Sequence, residues 1–82
     1  MSNRHELKSW PEYYQATSDG YKKFEIRKND RNFKENDILV LNEWNPETGQ
    51  YTGRSMWVRV RFIIQGQCGL PEDLCVMGIV GT

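Results

Sequence analysis

Within the stretch GYKKFEIRKNDR (residues 20–31), Lys22, Glu25 and Arg27 combine residue types and a spacing that can build a polar site. Read as a strand, the segment alternates, so Glu25 and Arg27 share one face while Phe24 and Ile26 take the other and hold the core. Lys22 falls at the turn before the strand, where it leans over the Glu25/Arg27 surface. A lysine, a carboxylate and a guanidinium that converge at a cleft can hold an anion or a base edge. The same Lys22–Glu25 pair could instead supply a lysine base or nucleophile, tuned by burial and the neighbouring carboxylate. From spacing alone a plainer reading stands beside both: Glu25 and Arg27 neutralise one another on a solvated face, as common ion pairs of small energetic value do.

Basic and aromatic residues recur together elsewhere. Lys8 and Trp10 precede the segment, with Trp10 as a cleft wall, and Arg54, Arg59 and Arg61 follow it as candidate outer phosphate contacts. Aromatics that stack bases beside guanidinium groups that meet phosphates are how small barrels hold single-stranded nucleic acid. The alternative is that Trp57 packs under a helix and the arginines snorkel to water. Other chemistries find no support. There is no Gly-x-Ser-x-Gly elbow and no phosphate-cradling glycine loop. Cys68 and Cys75 lie seven apart with no Cys-x-x-Cys, and the lone His5 makes no zinc spacing with them. The expectation is reduced thiols, no metal and no cofactor.

The elements that must position these residues are legible in outline. HELKS (5–9) is a short first strand, and Ser9-x-x-Glu12 reads as a capping box with Pro11 in the first helical turn. Trp10, Tyr13, Tyr14 and Thr17 then mark one face of a short helix, which Gly20 ends as a left-handed cap. After KFEIRKN comes a turn-rich connection anchored by Phe33, then the apolar run DILVLNEW, suited to a central strand. NPETGQYTG reads as a hairpin connection. SMWVRVRFIIQ alternates, with Met56, Val58, Val60, Phe62 and Ile64 on one face and Trp57, Arg59 and Arg61 on the other. LCVMGIV closes the chain. One flanking helix among five or six short strands makes a mainly β, α+β domain: a small barrel.

Eighty-two residues form one domain, 1–82, with a thin core. The formal net charge is zero, but residues 1–34 hold eight Lys/Arg against five Asp/Glu and residues 35–82 three against six. The candidate site thus lies in the basic half. No apolar run approaches membrane-spanning length, and the N-terminal MSNRHELKSW lacks a secretory core, so a cytoplasmic protein is expected.

Gly20-x-Lys22-x-x-Glu25-x-Arg27 resembles the signature of the ASCH (activating signal cointegrator homology) family of PUA-like barrels. The flanking HELKSWPEYYQATSDG, NDRNFKENDILVLNEW and YTGR are similar to a small bacterial and phage group related to it, so the likeness runs over nearly the whole chain. The resemblance implies a PUA-like barrel whose signature residues line a cleft between helix and barrel. It implies RNA or a nucleoside or nucleotide as partner, with Lys22, Glu25 and Arg27 in the cleft. Some ASCH enzymes hydrolyse N4-acetylcytidine with a Lys and a Thr of this motif and a distant Glu; here Glu25 stands in the threonine's place. Glu43, Glu72 and Asp73 are the candidates for the distant carboxylate. Expectation therefore divides between an RNA- or modified-nucleotide-binding module, a small nucleoside hydrolase or ribonuclease using Lys22, and a protein-interaction adaptor.

Overall fold

The computed structural model describes residues 3–81. In chain order the elements are β1 (Arg4–Ser9), α1 (Pro11–Ser18), β2 (Phe24–Lys28), β3 (Ile38–Asn45), β4 (Gln50–Gln65) and β5 (Leu74–Gly81). They form one five-stranded sheet in the order β1-β3-β4-β5-β2, with β1 parallel to β3 and every other pair antiparallel. The sheet curls into a half-barrel, as expected for a small β-barrel with one helix. Its edges are β1 and β2.

β3 is an interior strand, between β1 and β4, as its apolar run requires: Leu39, Val40 and Leu41 are all buried. Its inward residues join Leu7, Tyr14, Phe33, Val58, Val60, Cys75, Met77 and Ile79 in one core, so Phe33 does anchor the β2–β3 connection. Burial pushes the Cys75 thiol up, which leaves it an inert core residue rather than a nucleophile.

Both helix ends differ in how well the sequence foretold them. The first cap is Trp10, whose side chain makes no capping bond; Ser9 is still strand, paired with Glu43 and buried. Pro11 explains the shift, because the residue before a proline is held extended, and Trp10 sits at φ −65°, ψ 150°. The helix therefore begins one residue later than a capping box would set it. At the other end Gly20 is left-handed at φ 83°, with Gly20 N–H donating to Thr17 O and Tyr21 N–H to Ala16 O. This is the two-bond glycine stop. Along the helix only Tyr14 is buried; Trp10 and Tyr13 stack on each other outside the core, so the four-residue stripe is not a single core face.

Two strands present different faces from those expected. In β2, Phe24 and Ile26 are 43% and 54% exposed while Glu25 is 4% exposed. Opposite β2, Glu25 pairs with Met77 and Arg27 with Cys75, both fully buried, and directly paired residues share a face. The charged pair therefore points inward and the apolar pair outward, where Gly78, between Phe24 and Phe62 in register, leaves room for both rings. In β4 the pairing shifts between Val60 and Phe62. This extra residue reverses the alternation, turning Phe62 out and bringing Ile63, not Phe62 or Ile64, against the core. β4 also starts at Gln50, earlier than the hairpin reading allowed.

Asp37 ties three segments together at the start of β3. Its carboxylate accepts from the Asn3 N–H (3.1 Å) and the Lys34 N–H (3.1 Å), and lies 2.9 Å from His5 Nε2, whose ring meets Phe33 edge-on. Burial pulls this carboxyl up, but the bonds from His5, Asn3 and Lys34 outweigh it and hold it below its ordinary value of 3.8. A depressed folded-state value means stabilisation that is complete above the ordinary carboxylate range and is lost as pH falls through and below it. Asp37→Asn, which puts an amide donor against two backbone donors, is expected to cost about 1–3 kcal/mol at neutral pH. In urea titrations the gap between wild type and Asp37→Asn should narrow as pH drops below the carboxylate range; a gap independent of pH would refute this assignment.

Candidate functional site

Because β1 and β2 are the two edges of a curled sheet, closing the barrel would require them to pair. They do not; side chains bridge the seam instead. Arg27 Nη2 donates to the Lys8 backbone oxygen of β1 at 2.6 Å, and Arg31 Nη1 to the Glu6 oxygen at 2.7 Å. The β2–β5 bonds flanking the strand, Ile79 N–H to Lys23 O and Asn29 N–H to Asp73 O, make Glu25 and Arg27 the residues whose backbone bonds β5. Ile26 then turns its own N–H and C=O toward the open edge. A cleft of about 560 Å³ occupies this seam.

Glu25 sits at its base, its side chain 5% exposed, with each oxygen engaged by a cation. Lys22 Nζ donates to Oε1 at 2.7 Å and to the Phe24 carbonyl at 2.7 Å, while Arg27 Nε donates to Oε2 at 3.1 Å. The Schellman stop places Lys22 for this, and strand alternation places the other two. Side-chain exposures of 17% for Lys22 and 28% for Arg27 show that both cations still reach the cleft. An ammonium has three N–H donors and a guanidinium five. Once Glu25, Phe24 O and Lys8 O are satisfied, one donor on Lys22 and three on Arg27 remain. The cleft thus offers donors without a free acceptor carboxylate. Trp10, Tyr13, Phe24 and Ile26 form its walls, and Lys22 Nζ lies 5.2 Å from the Phe24 ring centre.

Of the residues expected at the site, Lys8, Trp10, Lys22, Glu25 and Arg27 all line this one cleft. Arg54 lines a neighbouring one; its guanidinium lies 4.8 Å over the Tyr14 ring and 3.8 Å from Glu43 Oε1. Arg59 and Arg61 are exposed on the outward side of β4 and line neither cleft, so they do not extend this site. Trp57 is not under the helix: it is half exposed, with the Arg4 guanidinium 5.4 Å over its ring. Among the candidate distant carboxylates, Glu43 is buried and accepts from Thr52 Oγ at 2.7 Å, outside the cleft. Glu72 and Asp73 precede β5, and Asp73 O meets Asn29 at the end of β2 remote from Lys22. Sequence reasoning missed Tyr13, which it placed on one helix face with Trp10 without assigning it to the site, and Arg31, which sits in a connection with no periodicity to aim it. Among the described residues no group of three or more His, Cys, Asp or Glu could hold a metal, and no helix is long and apolar enough to cross a membrane.

Comparison with known proteins places the chain in a family. It is 38% identical over 81 residues to the "Uncharacterized 12.9 kDa protein in GpA 3'region" of Escherichia phage P2, an alignment spanning 99% of this chain and 72% of that protein. Residues 4–79, from the first residue of β1 to near the end of β5, match the model of the domain of unknown function DUF3850, and the chain belongs to that family.

Proposed function

We propose that this protein binds RNA or a modified nucleotide in the seam cleft. One observation carries the reading: Lys22 and Arg27, fixed by Glu25, keep unused N–H donors beside the stacked Trp10–Tyr13 pair, whose rings are 6.2 Å apart and 19° from parallel. Such a site suits a planar ring carrying carbonyl or phosphate acceptors. The likeness of the Gly20–Arg27 signature to ASCH domains of PUA-like barrels supports the same class of ligand. The hydrolase reading is less well supported, since Glu25 has both oxygens engaged and the Lys22 ammonium is already a donor to it. The protein acts as a binding module, in the cytoplasm.

Isothermal titration of a panel of nucleosides and nucleoside monophosphates, including acetylated cytidine, tests this. Trp10 is 46% exposed, so Trp10→Ala should leave the fold intact. It should weaken the best ligand by about 1–3 kcal/mol, the worth of one stacked base. Equal binding by wild type and Trp10→Ala, or no binding by either, would refute the proposal.

A further inference from the structure

A second cleft of about 550 Å³ adjoins the first, and the two share Lys8 and Arg27. Four cations line it, Lys8, Arg27, Arg31 and Arg54, against the single carboxylate of Glu6. Inside this cleft none of the four forms a close ion pair, though Arg27 pairs through Nε with Glu25 of the first cleft at 3.1 Å and Arg54 lies 3.8 Å from Glu43 Oε1. Arg31 gives one Nη1 bond to the Glu6 backbone, Lys8 Nζ lies over the Trp44 ring at 4.5 Å, and Arg54 makes a long 3.4 Å contact to Gln15. Glu6 itself is partly occupied by Asn42 at 3.4 Å. Tyr51 also lines this cleft with 56% of its surface exposed. Each cleft therefore pairs an aromatic surface with guanidinium or ammonium donors, and Arg27 stands at their junction.

We propose that the two clefts together hold a single strand of nucleic acid, at least two consecutive nucleotides long. One base lies in the first cleft, the linking phosphodiester meets Arg27 and Lys8 at the junction, and the next nucleotide lies against Tyr51 with Arg31 and Arg54 on its phosphate. The proposal rests on the nucleotide-binding reading of the first cleft and extends it from a nucleoside pocket to a strand path. Cations that contact phosphate make affinity fall with salt, whereas a lone uncharged nucleoside has no such dependence. Stacking on an exposed tyrosine tolerates any base.

The test titrates fluorescein-labelled hexamers of uridylate, adenylate, thymidylate and deoxyadenylate by anisotropy, with uridine and adenosine measured by calorimetry for reference. Hexamers are expected to bind at least tenfold more tightly than the matching nucleosides, with affinity falling as salt rises. Tyr51→Ala should weaken hexamer binding about tenfold, the loss of one stacked base. Arg31→Ala should lower hexamer affinity and reduce the salt slope by about one. Because Arg31 also bridges the seam, Tyr51→Ala, which removes only an exposed ring, guards against a folding defect. A gain for either sugar is the expected result, and the series that gains more identifies it. If nucleosides bind as tightly as hexamers, or both variants bind hexamers like wild type, the second cleft is not a strand site although the first remains a nucleoside pocket. If neither nucleoside nor hexamer binds, the parent reading falls and this one with it.

Discussion

Glu25→Ala is expected to lower stability by about 3 kcal/mol, the lower end of the range for breaking a buried ion pair. Glu25 is almost wholly buried and accepts from two cations, so its removal leaves the Lys22 ammonium and the Arg27 guanidinium facing each other without a counter-charge. The lower end applies because both cations retain some contact with water, which screens part of their repulsion. For a domain of this size, 1 kcal/mol moves the melting temperature by roughly 4–8 °C, so a fall of roughly 12–24 °C is expected. Glu25→Gln keeps the volume and one acceptor oxygen and should fall between wild type and Glu25→Ala. Adding Lys22→Ala to Glu25→Ala should recover part of the loss, because one of the two uncompensated charges is gone. Thermal unfolding followed by circular dichroism measures all four proteins. A Glu25→Ala melting point within 3 °C of wild type would show that the carboxylate does not organise the cleft.

How far the sequence reveals this site depends on what fixes each residue. Gly20 was legible because a left-handed stop has a local cause, and Lys22 inherits its place from that stop. The interior position of β3 was legible because only a strand covered on both faces carries Ile38-Leu39-Val40-Leu41 unbroken. In β2 the alternation correctly grouped Glu25 with Arg27 and Phe24 with Ile26, but periodicity says nothing about which group faces inward. The rule that apolar residues face the core gave the wrong answer. The inward face of this edge strand opens onto the seam, so a neutralised charged set can occupy it while the apolar pair covers the outer sheet with Phe62 and Val76. The β4 bulge was illegible for a related reason: Val60, Phe62 and Ile64 continue an unbroken alternation, and only pairing with β5 reveals the extra residue. Arg31 could not be found at all, since its role arises from a long-range bond to the Glu6 backbone. Nor does any local pattern disclose that β1 and β2 fail to pair, which is what creates the cleft.

Arg27→Lys is expected to separate recognition from charge. Lysine keeps the positive charge, but its single ammonium cannot reproduce a planar fork that bonds Glu25 Oε2 through Nε and Lys8 O through Nη2 while presenting further donors to the cleft. A compact point charge satisfies Glu25 or bridges to β1, and either choice leaves the ligand with fewer, less directed donors. Ligand affinity should therefore fall by about 1–3 kcal/mol, the worth of a bidentate guanidinium contact. If charge alone mattered, Arg27→Lys would bind like wild type and Arg27→Gln would not; if geometry matters, both lose affinity, and Arg27→Gln loses more because it removes a positive charge as well as the fork and leaves Lys22 alone to balance Glu25. Arg27→Ala removes the seam bond to Lys8 O outright, so hydrogen exchange in β1 should quicken in that variant. That second readout keeps the two roles distinct. Faster exchange in β1 with unchanged nucleotide affinity would make Arg27 a barrel tie only, and would move the search for the ligand away from the seam.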